Sequence, residues 1–193
     1  AASLSQNGLE RSGEVAAAVD GVEYATLNEA LAAATDGQTV KVLANTTMTT
    51  GRVDGISITL DLNGCTVEAD NRAFNVVGGG RLTLDDTAGG GVLKVNKVGS
   101  TLSLGIVTGS KGSAVMKGGT LEVPEYGIYA TNDDTGAYVS LQGGLIKAAY
   151  GICAIGNGTE HSAKVEVSGG EVQAGIFGLA PMARRATAAW TSS

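Results

Sequence analysis

At 193 residues the chain fits a single domain with room for a substantial core. Its apolar fraction of 43% excludes general disorder, and 30 glycines without a Gly-X-Y period exclude collagen. A net charge of −6 argues against nucleic acid, since phosphate contacts need clustered Lys and Arg.

The first dozen residues, 1–12, read as a disordered lead-in beginning Ala-Ala-Ser without Met, as in a processed or excised fragment. Residues 13–43 read as an N-terminal cap. A short strand or extended lead-in occupies Gly13–Glu23. Thr26-Leu-Asn-Glu29 then follows the capping-box pattern. Leu27, Ala30, Leu31 and Ala34 share one helical face, Asp36-Gly37 ends the helix, and Thr39-Val-Lys-Val-Leu43 is the first strand. Such a helix covers the open end of whatever core follows.

Residues 44–178 carry a repeat. Gly-Gly pairs begin at 118, 143 and 169, and Ile128, Ile152 and Ile176 recur every 24 residues. A period in this range marks a solenoid. Each repeat holds three short extended pieces with alternating polarity, joined by Gly-containing bends. Ala114/Met116, Val139/Leu141 and Val165/Val167 point inward in the first piece. Leu121/Val123, Ile146/Ala148 and Val172/Ala174 do so in the second. Glu122 and Lys147 are outward neighbours of opposite charge, and the three isoleucines form one inner stack. The Gly-Gly pair is a corner that needs positive φ. Weaker copies lie upstream at Ile58-Thr-Leu-Asp, Leu82-Thr-Leu-Asp, Gly91-Val-Leu-Lys-Val and Thr101-Leu-Ser-Leu. The span from Val40 to Phe177 holds roughly six coils. The predicted fold is therefore all-β: a right-handed parallel β-helix of ~24-residue coils with an N-terminal amphipathic cap helix.

Residues 179–193 break the pattern. Pro181-Met-Ala-Arg-Arg-Ala-Thr-Ala-Ala-Trp is basic and Ala-rich. Two readings stand: an aberrant tail where the chain ends inside a repeat array, through truncation or an out-of-frame terminus, or a C-terminal cap helix over Met182–Trp190. If the last coil lacks a cover, its edge invites self-association.

Candidate chemistry is sparse, and no catalytic, cofactor or metal residue is assigned. His161 lies in a loop without a partner acid. Asn132-Asp133-Asp134 and Asp85-Asp86 could bind Ca²⁺ or act as acid and base, but both sit where polar turns are expected. Gly78-Gly-Gly and Gly89-Gly-Gly lack the helix and Lys of phosphate loops. The sequons at Asn45 and Asn157 read as chance matches. Cys65 and Cys153 read as unpaired thiols rather than a bridge. No apolar run reaches the ~18 residues of a membrane helix. Tyr126, Tyr129, Tyr138 and Tyr150 cluster in adjacent coils. They form either a sugar platform or a stabilising ladder, and with Asp133 and Asp134 they make up the candidate ligand surface.

The stretch Gly21-Val-Glu-Tyr-Ala-Thr-Leu-Asn-Glu-Ala-Leu through Thr39-Val-Lys-Val-Leu, followed by Leu60-Asp-Leu-Asn-Gly, resembles the cap and first coils of pectate-lyase-like β-helix modules in surface proteins of gut bacteria. The likeness covers roughly residues 20–178. It implies a secreted or cell-wall-associated protein, often adhesive, and carries over no catalytic residue. Three functions stay open. One is a non-catalytic scaffold or adhesin that meets host or microbial glycans or surface proteins. Another is a fragment of a polysaccharide lyase or hydrolase. The third is a trimeric tail-fibre-like domain.

Overall fold

The computed structural model describes residues 14–132, 137–156, 164–181 and 187–190, with backbone alone for 132, 156, 175–181 and 187–190. Asp133, Asp134 and His161 lie outside the described residues, as do the first dozen.

The chain enters through a hairpin. β1 (Ala17–Val19) and β2 (Val22–Tyr24) pair antiparallel across Asp20-Gly21, both at positive φ. Asp-Gly suits the tight turn that matches strand twist. A hairpin thus replaces the single lead-in strand expected here. α1 (Leu27–Ala33) follows. Thr26 caps it, its hydroxyl accepting the Glu29 N–H at 3.1 Å. The helix stops earlier than Asp36-Gly37. Ala34 is already extended, and the Gln38 side-chain oxygen accepts the Thr35 N–H at 2.7 Å. Leu27 and Ala30 are fully buried on the first coil. Asn28 exchanges two hydrogen bonds with the Thr49 backbone, pinning α1 to that coil.

Beyond the cap the chain winds as a parallel β-solenoid of about five turns with three faces. The first face holds β3 (Thr39–Val42), β6 (Ser57–Asp61), β9 (Arg81–Asp85), β12 (Ser113–Met116), β15 (Tyr138–Leu141), β17 (Lys164–Val167) and β19 (Thr187–Trp190). The second holds β4 (Thr46–Met48), β7 (Thr66–Asp70), β10 (Val92–Asn96) and β13 (Thr120–Glu122). The third holds β5 (Gly51–Asp54), β8 (Arg72–Val77), β11 (Leu104–Thr108) and β14 (Tyr126–Asn132). β16 (Leu145–Gly156) and β18 (Glu171–Pro181) run unbroken through the corner between these last two faces.

Every coil donates its backbone to the next, so side chains stack by type. Leu60, Leu84, Met116 and Leu141 are in register and fully buried. Val67, Leu93, Leu121 and Ile146 form a second column. Phe74, Ile106, Ile128 and Ile152 form a third. Burial of such side chains is worth about 1.5–3 kcal/mol each and supplies the drive for stacking.

The Gly-Gly corners need both glycines, for different reasons. The second of each pair has positive φ, as at Gly144 (83°). The first lacks space at Gly143 and Gly169, where a Cβ would strike the Lys117 and Gln142 carbonyls of the coil below.

Two further expectations are corrected. Ile176 does not continue the isoleucine stack. A register shift in β18 places Leu179 opposite Ile152, and Phe177 opposite Tyr150. Nor is there a helix through Trp190: β18 runs to Pro181, and Thr187–Trp190 pairs in parallel with β17. Backbone donors and acceptors on a coil edge accept any sequence able to extend, even an Ala-rich one.

Candidate functional site

The tyrosines owe their placement to one corner. In Tyr126-Gly-Ile128, a Cβ on Gly127 would sit 2.7 Å from Ile146 Cγ2 and strike the Gly151 carbonyl. Only glycine lets the chain turn this tightly over the core. Ile128 is buried, whereas Tyr126 lies outside it and is only partly buried. Tyr150-Gly-Ile152 repeats the arrangement one coil on, in register. The two rings stack with centroids 4.9 Å apart and planes 11° from parallel. Tyr129 meets Tyr126 edge-on at 5.4 Å and 84°. Such pairs contribute about 0.5–1.5 kcal/mol beyond burial. The result is a compact aromatic patch on the outer side of the third face.

Beside it, Cys153 lies in register with Tyr129 and is fully buried. Burial pushes its thiol up to about 11, so it stays protonated and unreactive at neutral pH. No disulfide joins it to Cys65. Burial, then the neighbouring Tyr150, Cys153 and Glu125, raises the Tyr126 hydroxyl above its ordinary range. Burial, Cys153 and Tyr126 do the same at Tyr129.

Tyr138 does not join this cluster. It belongs to the first face, where its hydroxyl donates to Glu166 and Lys164 Nζ lies 5.9 Å from its ring centre. Asp85 and Asp86 are absorbed by a corner. Asp86 accepts the Gly64 and Gly91 N–H groups at 2.7 Å each, and Asp85 accepts the Asp86 N–H. Asp61, in register with Asp85, is buried. Burial pushes its carboxyl up. Hydrogen bonds from the Thr87 hydroxyl, the Thr87 and Asn63 N–H groups and the Lys41 charge outweigh that and hold it below its ordinary value. These acids serve the turn, and among the described residues no three His, Cys, Asp or Glu groups converge to hold a metal.

A second feature sits around the corner. Outward residues of the second face form a column: Glu68, Lys94, Glu122, Lys147 and Gln173, in register. Glu122 and Lys147 are the neighbours expected. Among the described residues, though, only Lys94 and Glu68 of this column close to an ion pair, and that one is long at 3.9 Å. Exposed pairs gain little from closing. The column borders a groove of about 420 Å³ over three coils, with Lys94, Lys97, Glu122, Pro124 and Lys147 around it and buried Val123 in its floor.

One wall of the groove comes from an insertion. Lys94 to Leu104 spans six more residues than the matching steps Glu68 to Arg72 and Glu122 to Tyr126. The extra loop is braced. Lys97 Nζ donates to Glu125 Oε1 at 2.6 Å. The Ser103 N–H and hydroxyl donate to Glu125 Oε2 at 2.6 and 3.0 Å. The Val98 N–H donates to Asn71. The Lys97 hydrogen bond and then the Ser103 N–H, against some burial, draw the Glu125 carboxyl down to about 2. Sequence reasoning missed groove and loop; the signal was the Gly91 and Gly119 matching segments lying 28 residues apart instead of 24 to 26.

Column, groove and aromatic patch thus adjoin on a β-solenoid. Comparison of the chain with protein-family models, curated proteins and solved structures yields no match.

Proposed function

We propose that the chain is a non-catalytic, glycan-binding scaffold or adhesin-type module of a secreted or cell-wall-associated protein. The observation that carries this reading is the parallel stack of Tyr126 on Tyr150, with Tyr129 edge-on against Tyr126. Aromatic rings on a rigid, coil-aligned surface offer a platform for the apolar faces of sugars. The sheet beneath holds the rings in place before any ligand arrives, which reduces the ordering cost of binding. The acids that could serve hydrolysis or elimination at Asp61, Asp85 and Asp86 are instead occupied by turn N–H groups.

The test is a glycan array followed by titration of Tyr126→Ala and Tyr150→Ala. Each loses up to about 1.5 kcal/mol of stacking, or about tenfold in affinity. The same preparations are incubated with pectin-type substrates. Release of product would overturn the non-catalytic reading in favour of a lyase or hydrolase.

A further inference from the structure

We propose that the second-face groove binds an acidic polysaccharide in which charged and neutral sugars alternate, laid along the solenoid axis. This rests on the glycan-binding reading and names the ligand class.

The warrant is the order of charges in one column. Lys94, Glu122 and Lys147 occupy the same outward position on three successive coils. Stacked strands are about 4.8 Å apart, so the two ammonium groups are rooted about 9.6 Å apart with a carboxylate midway. A sugar unit in an extended chain advances roughly one coil step. Anionic groups on alternate sugars therefore meet Lys94 and Lys147. The intervening neutral sugar meets Glu122, which accepts its hydroxyl or amide protons. A polymer with a carboxylate on every sugar would press one against Glu122, and like charges brought together are rejected.

The column is available for this. Glu122 and Lys147 are exposed, and neither makes an ion pair among the described residues. Among the described residues Lys94 makes one ion pair, the 3.9 Å contact to Glu68, with both side chains over 40% exposed. Lys97, by contrast, is committed to Glu125 at 2.6 Å and shapes the wall. Pro124 is exposed at the rim. Lys147 lies three residues before Tyr150, so the groove and the stacked rings border the same corner.

The experiment titrates the whole chain with three oligosaccharides long enough to cross three coils. The first alternates uronate with N-acetylhexosamine, the second is uronate throughout, and the third is N-acetylhexosamine alone. The alternating chain should bind tightest. Lys94→Ala or Lys147→Ala should each weaken it about three- to fivefold and flatten its salt dependence. Glu122→Gln should raise binding of the all-uronate chain toward that of the alternating one. Equal binding of all three, unchanged in both lysine variants yet weakened by Tyr126→Ala, would overturn the groove and leave the tyrosine platform standing. Binding of no glycan would overturn both. A single-stranded oligonucleotide competing as well as the alternating chain would overturn the assignment to sugar.

Discussion

Thr108 stands in an inner column otherwise made of Val53, Val76, Ala130 and Ala154, on successive coils of the third face. It is fully buried, and among the described residues its hydroxyl oxygen has no hydrogen-bond partner. An unsatisfied buried hydroxyl costs about 1–3 kcal/mol. Thr108→Val replaces it with a methyl of nearly the same shape and adds about 0.8 kcal/mol of apolar burial. Native packing recovers only part of this, so we expect a gain of about 1–2 kcal/mol. Thr108→Ser keeps the hydroxyl and loses the methyl, and should cost about 1 kcal/mol. Urea denaturation of both variants reads the difference, with the slope unchanged. Coils couple mainly to their neighbours, so amide exchange should slow most at Val76, Thr108 and Ala130. A destabilised Thr108→Val protein would refute the reasoning, because it would mean that the hydroxyl is satisfied in solution, as by a buried water.

Gly127→Ala should destabilise by about 1–3 kcal/mol through overpacking, since the new Cβ meets Ile146 and the Gly151 carbonyl; wild-type stability in a urea melt would refute this. The Glu125 carboxyl has a folded value near 2 against an ordinary 4.5. A depressed carboxyl stabilises fully above its unfolded value and loses that contribution as pH falls toward the folded one. The loop at 97–103 should therefore hold firm above about pH 4.5 and loosen between there and about 2. Amide shifts of Val98 and Ser103 followed through that window check it, and Glu125→Gln should remove the transition.

Much of the architecture was legible because a solenoid writes its period into the chain. The spacing of Ile128 and Ile152 predicted a stack, and the backbone register delivers it. Glu122 and Lys147 were placed side by side on the same ground. Periodicity fails where a strand gains a residue. The shift in β18 moved Ile176 out of line, because one added residue changes every later partner in the strand. The Asp20-Gly21 hairpin was visible in principle as a turn dipeptide, but the flanking strands are only three residues each, too short for alternation to mark them.

The candidate site was half legible. Tyr126 and Tyr150 share a motif, so their stacking followed from the repeat. Tyr138 appeared to belong with them because it is near in sequence. Only the folded coil shows that a corner separates it from the others and turns it toward Lys164 and Glu166.

What the sequence by itself determined is the coil: alternating apolar residues and glycine corners leave a parallel stack as the way to bury every column at once. What the tertiary structure alone decided is which outward residues become neighbours. Lys94, Glu122 and Lys147 are scattered over more than fifty residues of chain. The six-residue insertion before Leu104 displaces them from any single period. They form one column because backbone hydrogen bonds set coil against coil, and a loop can lengthen freely at the surface without disturbing that register.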